Sequence, residues 1–161
     1  MNVEFLNFNG QTKDAHITKI YDGDSCWATF ELSGKVYQWK CRLNGLDTPE
    51  LRSKDTKVRE FAYKVRDALQ EKMLNKAVVL ECGDFDKYGR ILITPFLDGE
   101  NICEWLISKR FAKPYNGGKK HQWSNEDVED GDDVEDVEDV EDVKDVEDVE
   151  GIEGIVSNLL D

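Results

Sequence analysis

The sequence predicts a mainly β fold: a small five-stranded barrel with two or three α-helices packed against it, followed by a disordered acidic tail. Three observations point there. Strand-like alternation recurs on both sides of one long helical pattern, turn residues punctuate the strands, and the chain beyond residue 125 abandons both periods. The 161 residues suffice for one domain with a core plus extra sequence.

A first strand carries His16, a lone histidine that reads as structural. In Ser25 to Leu32, Cys26, Ala28, Phe30 and Leu32 point one way, and Trp27, Thr29 and Glu31 the other. A Ser33-Gly34 turn follows. Val36 to Leu43 then sets Tyr37, Trp39, Cys41 and Leu43 on one face, with Gln38, Lys40 and Arg42 opposite. That alternation leaves the Arg42 guanidinium free for a cleft.

Val58, Phe61, Ala62, Val65, Leu69 and Met73 recur at helical spacing, with Asp55 or Thr56 as cap and Asn75 as a left-handed stop. A strand from Ala77 to Cys82, the turn Asp86-Lys87-Tyr88-Gly89 and a strand from Arg90 to Thr94 come next. Asp98-Gly99 is a further turn. Asn101 followed by Glu104 caps a short helix through Ile107. The order β-β-β-α-β-β-α suits a small barrel.

Charge divides the chain. Up to Asn125 there are 20 Lys and Arg against 17 Asp and Glu, so +3; from Glu126 one Lys faces 18 acids, so −17. The body is slightly basic and can approach nucleic acid, whereas the tail repels it. Residues 127–150 repeat Val-Glu-Asp, a period of three that matches neither a helix nor a strand face. Ile152 to Leu160 regains apolar residues and fits a docking helix of barely two turns.

Cys26, Cys41, Cys82 and Cys103 lack paired ligand spacing, which argues against zinc and for buried reduced thiols. The start at Met1 has no signal-peptide pattern, and no stretch is long enough to span a membrane, so an intracellular protein is expected. His121 sits beside Lys119 and Lys120 and receives no role. Trp39, Trp105 and Trp123 read as packing anchors.

Chemistry-bearing residues fall in three clusters. Asp22-Gly23-Asp24 is, in isolation, a plain hairpin turn. Asp47-Thr48-Pro49-Glu50 reads as a strand end stopped by proline, but that leaves Arg42, five residues upstream, unexplained. Asp86-Lys87-Tyr88-Gly89-Arg90 reads as a hairpin tip. Together they hold carboxylates for a hard cation, a spare carboxylate for base work and two arginines for a phosphodiester.

In order and spacing these clusters resemble the staphylococcal nuclease (thermonuclease) family, over about residues 13 to 123. The resemblance implies an OB-fold barrel. It implies a calcium-dependent, sugar-non-specific nuclease hydrolysing phosphodiester bonds of DNA and RNA. Ca2+ would be held by Asp24, Asp47 and the backbone carbonyl of Thr48, with Asp22 shaping the site. The catalytic groups would be Arg42, Glu50 and Arg90, with Glu50 near the attacking water. Lys87 and Tyr88 would hold the substrate's phosphate, and Tyr115 would line the nucleotide pocket. The alternative is a non-catalytic nuclease-like module binding nucleic acid or protein partners, as in relatives that have lost catalytic residues. Such a module has no need to keep Asp24, Arg42, Asp47, Glu50 and Arg90 together.

The chain departs from the family pattern twice. The loop after Glu50 is short, and after Phe111-Ala112-Lys113 little sequence remains for a third helix, unless a short Gln122-Trp123 segment covers the barrel. The expected organisation is an N-terminal extension over 1–12, the nuclease-like domain over 13–125 and the acidic tail over 126–161. A monomer is expected. The tail is expected to be a solvated polyanion, an inhibitor of the basic face or an address for a basic protein partner.

Overall fold

A computed structural model of the chain describes residues 1–120 and 122–128. His121 and the repetitive acidic tail, with the docking helix expected at its end, lie outside the described residues. The chain divides into two compact units, Met1–Asn125 and Glu126–Asp161, and the strands and the helices Thr56–Met73 and Ile102–Ser108 belong to the first.

Five long strands carry the fold: β1 (Thr12–Ile20), β2 (Ser25–Leu32), β3 (Lys35–Leu43), β5 (Ala77–Phe85) and β6 (Ile91–Leu97). Three two-residue strands, β4 (Leu46–Asp47), β7 (Glu100–Asn101) and β8 (Lys113–Pro114), trim the connections. Helix α1 spans Thr56–Met73 and α2 spans Ile102–Ser108; a third helical turn covers 125–128.

The sheet runs β3-β2-β1-β5-β6, and β3 also pairs with β6, which closes it into a five-stranded barrel. The closing pair is parallel, with Cys41 opposite Ile91, Arg42 opposite Leu92 and Leu43 opposite Ile93. Closure removes the open edges that a five-stranded sheet would otherwise leave exposed. Two of the turns named from sequence have left-handed backbone at two consecutive positions, Ser33-Gly34 (φ 54° and 83°) and Asp98-Gly99 (50° and 86°). That geometry matches the right-handed twist of the flanking strands.

Alternation sets the core. Cys26, Ala28 and Phe30 of β2, Cys41 and Leu43 of β3, and Ile91 and Ile93 of β6 are buried inside the barrel. Across β2 and β3, Cys26 stands opposite Cys41. All four cysteines are buried thiols with no disulfide. Burial pushes Cys82 up to about 11 and Cys103 up to about 12. A hydrogen bond with Cys41, then burial, raises Cys26 as well, so all three stay unreactive at neutral pH.

The six apolar positions expected of α1 are the six it buries, at i, i+3 and i+4 spacing. Asp55 caps it, accepting from the N–H groups of Lys57 (2.9 Å) and Val58 (3.2 Å). Asn75 ends it with φ 66°. Its N–H donates to the carbonyl of Ile17, which ties the helix end to β1. Asn101 caps α2 through the N–H of Glu104, at 3.0 Å. Phe8, ahead of the first strand, is 2% exposed and packs edge-on against Phe30 and Trp39.

Strand limits differ from the sequence reading at the end of β5 and at both ends of β6, which runs past Thr94 to Leu97. β5 continues past Cys82 to Phe85 through an irregular register that includes Gly83. Arg90 stands one residue ahead of β6 because its N–H and carbonyl are both used by Asp86, which closes the turn.

Candidate active site

The β1–β2 turn brings the first carboxylates into place. The Asp22 side chain accepts from the Asp24 N–H (3.1 Å) and the Ser25 hydroxyl (2.6 Å), a local knot that fixes how Asp24 leaves the turn. Burial, then the neighbouring Asp24 carboxylate, push Asp22 up to about 6. Gly23 has a steric reason of its own. A Cβ there would stand 2.8 Å from Val65 Cγ1 and 3.0 Å from Thr48 Cβ and Oγ1. Its bare backbone lets the turn close against α1 and the Asp47-Thr48 segment at once.

Asp24, Asp47 and Thr48 are all buried. Ser25 pairs with Arg42 across β2 and β3, and the Leu43 N–H donates to the Asp24 carbonyl at 2.8 Å. Arg42 therefore reaches both carboxylates: NH1 lies 2.8 Å from Asp24 Oδ2 and NH2 lies 3.8 Å from Asp47 Oδ1. NH2 also donates to the Leu46 carbonyl at 3.2 Å. Arg42 points away from the barrel core, as the alternation requires, but its guanidinium is not free. Two carboxylates at 12% and 4% exposure demand an opposing charge, and Arg42, 11% exposed, provides it.

Asp47 Oδ1 is buried without a hydrogen bond in the described residues. Lys120 Nζ is 3.2 Å from it, outside hydrogen-bond geometry, and Oδ2 accepts from Trp123 Nε1 at 3.3 Å. Neither residue was singled out from sequence as touching the site. The signal was a lysine and a tryptophan three apart, whose partner lies 76 residues from Trp123. The pairing of β4 with β8, Leu46 opposite Pro114 and Asp47 opposite Lys113, carries this distant segment back to Asp47. The same pairing brings Tyr115 in: its N–H donates to the Gly45 carbonyl (2.8 Å) and its hydroxyl to the Gly118 carbonyl (2.9 Å).

Arg90 arrives from the other side of the barrel closure. Arg42 and Leu92 are paired and face outward between buried neighbours, so Arg90, two residues before Leu92, lies on Arg42's side of the sheet. Its Nε donates to Asp86 Oδ2 at 2.8 Å, while Asp86 Oδ1 accepts from the N–H groups of Tyr88 and Arg90, both 2.9 Å. Burial works to raise Asp86, but these two backbone donors and the arginine outweigh it and lower it below the ordinary 3.8. Tyr88, 72% exposed, lies between two cations, Lys87 Nζ 5.3 Å and Arg90 Cζ 5.4 Å from its ring centre.

Glu50 is exposed in the loop three residues past Asp47, joined to the other candidates by no hydrogen bond or ion pair among the described residues. The fold thus gathers Asp24, Arg42, Asp47 and Thr48 in one cluster, sets Arg90 on the same side of the sheet, and leaves Glu50, Lys87 and Tyr88 exposed, with no hydrogen bond or ion pair to the cluster among the described residues.

A cation fits this cluster in its oxygens, though not as a ready-made cage. Among the described residues, no three His, Cys, Asp or Glu side chains converge on one point. Two buried carboxylates and the Thr48 segment remain, and Asp47 Oδ1 has ion-pair neighbours but no hydrogen bond among the described residues. Hard divalent ions take such oxygens and complete their shell with water.

The family model for staphylococcal nuclease homologues matches residues 40–132, more than half of the chain. The chain belongs to the staphylococcal nuclease family. Two relatives of this nuclease homologue bracket its likeness. It is 26% identical over 136 residues to a thermonuclease of Staphylococcus hyicus, covering 76% of this chain and 78% of that protein. It is 31% identical over 123 residues to an uncharacterised protein of Methanocaldococcus jannaschii, covering 62% of this chain. The match spans 58% of that archaeal relative's own length. No helix among the described residues of the nuclease homologue is long and apolar enough to cross a membrane.

Proposed function

We propose that this chain is a calcium-dependent nuclease that hydrolyses phosphodiester bonds of DNA and RNA without sugar preference. The observation that carries the reading is Arg42 bridging two buried carboxylates, with Arg90 on the same side of a closed barrel. Buried charge is expensive, and two buried carboxylates whose second positive partner, Lys120, is a half-exposed side chain free to leave suit an exchangeable cation site better than a packing contact.

Asp24, Asp47 and the Thr48 carbonyl would hold Ca2+. Bound there, the cation supplies positive charge against a phosphate oxygen and a place to orient water. Arg42 and Arg90 grip the same phosphate through planar forks and meet the charge that grows as the bond to the attacking oxygen forms. Asp24 and Asp47 would share their charge with the cation, and the Arg42 fork, which now pairs with both, would be available to the phosphate. Glu50, exposed to solvent, is the general base that takes the proton from the attacking water. Lys87 and Tyr88 hold a neighbouring phosphate from the hairpin tip, and Tyr115 borders the nucleotide. None of these groups reads a base edge, so selectivity for sugar or sequence is low.

The test is cleavage of single-stranded DNA and of RNA by the full chain in Ca2+, in EDTA, and with Glu50→Gln in Ca2+. Cutting of both polymers that stops in EDTA and falls by about 10²–10⁴ in the variant is expected. Nucleic acid bound but never cut would make the chain a non-catalytic binding module instead.

A further inference from the structure

We propose that Lys120 and Trp123 act in opposite senses on one carboxylate, Lys120 competing with the metal at Asp47 and Trp123 holding Asp47 ready for it. The inference rests on the calcium reading above and concerns residues of this chain only. Asp47 is 3% exposed, and its two oxygens have different surroundings. Oδ2 accepts from the Trp123 indole N–H at 3.3 Å. Among the described residues, Oδ1 faces Lys120 Nζ at 3.2 Å and Arg42 NH2 at 3.8 Å and has no hydrogen bond of its own.

An indole can donate once and cannot accept, so Trp123 fixes one oxygen and, with it, the rotation of the carboxylate. The ring is itself seated: it lies 6.4 Å from the Phe61 ring, on the buried stripe of α1, and Lys113 Nζ stands 5.3 Å from its centre. Asp47 thus presents Oδ1 in a direction set by the chain after β8. Groups that orient a ligand in this way are worth about 10–100-fold in metal affinity.

Lys120 differs in kind. Its side chain is 49% exposed, on a flexible stem that can swing into solvent. Its ammonium rests against the oxygen that a hard cation would take, and two positive charges cannot share that position. Metal uptake must therefore displace it. The same segment holds the ligand and covers it, so affinity for Ca2+ is the difference between two effects.

Ca2+ is titrated calorimetrically into the full chain, Lys120→Met and Trp123→Phe, with Asp47→Asn as the blank for cations taken up by the acidic tail. Tryptophan fluorescence is followed in parallel. Lys120→Met is expected to bind about two- to fivefold more tightly, the scale of an exposed ion pair. Trp123→Phe keeps the ring packing and is expected to bind about tenfold more weakly. The fluorescence change on Ca2+ addition is expected to be lost with Trp123. Variants that shift in the same direction, or not at all, while the wild type binds above the blank, overturn this inference alone. A wild-type chain indistinguishable from the blank overturns the calcium reading and this inference with it.

Discussion

Arg42 and Arg90 have the same chemistry and opposite upkeep. Arg42 is 11% exposed, and its charge faces two buried carboxylates, Asp24 and Asp47, the second of them shared with Lys120. Arg90 is 28% exposed and leans on Asp86, four residues away in its own turn, which is also served by two backbone N–H groups. One arginine is part of the fold's electrostatic balance, and the other is an accessory of a hairpin. The equal roles proposed for them at a phosphate would therefore rest on very different structural debts.

The largest effect should separate the two. Arg42→Ala is expected to lower turnover by about 10²–10³. It should also cost about 3–5 kcal/mol of stability by leaving buried Asp24 without its ion-pair partner and Asp47 with Lys120 alone. In melting experiments that deficit should shrink when Ca2+ replaces EDTA, since the metal restores the balance. Arg90→Ala is expected to lose a similar factor in rate while stability falls by no more than about 1 kcal/mol, as for a part-exposed pair. Equal stability losses in the two variants would erase the distinction.

A smaller effect probes how Asp24 is delivered. Gly23→Ala places a methyl against Val65 and Thr48, and about 1–3 kcal/mol of destabilisation is expected by chemical denaturation. The smallest concerns pH. Asp86 is held below 3.8, so its contribution is present above that value and is lost as pH falls through its lowered value. The melting-temperature gap between the wild type and Asp86→Asn should therefore be present at pH 7 and close below about pH 4. A gap that widens on acidification would reverse the assigned direction.

Much of this frame is legible in sequence because it is written locally. The stripe from Val58 to Met73 names the buried face of α1, Asp55 and Asn75 mark its ends, and the turns at Ser33-Gly34 and Asp98-Gly99 name their own hairpins. Alternation puts Arg42 on the outer side of β3 without any knowledge of its neighbours. What alternation cannot state is which strand lies next door. The parallel pairing of β3 with β6 joins segments about fifty residues apart in sequence, and no local period encodes it. For the same reason the return of Lys120 and Trp123 to Asp47 was hidden, since it depends on a two-residue pairing of β4 with β8. Gly23 looked like a turn residue, whereas its neighbours Val65 and Thr48 supply the steric reason.

The closing ladder between β3 and β6 also works as a ruler. Peptide hydrogen bonds, not side chains, set how far Arg42 stands from the strand that Arg90 introduces. Lengthening the loop at Ser33-Gly34 or at Asp98-Gly99 adds chain beyond the ends of the strands and leaves that measure untouched. Longer loops at these two tips would therefore extend the surface without recalibrating the pair of arginines assigned to the proposed chemistry.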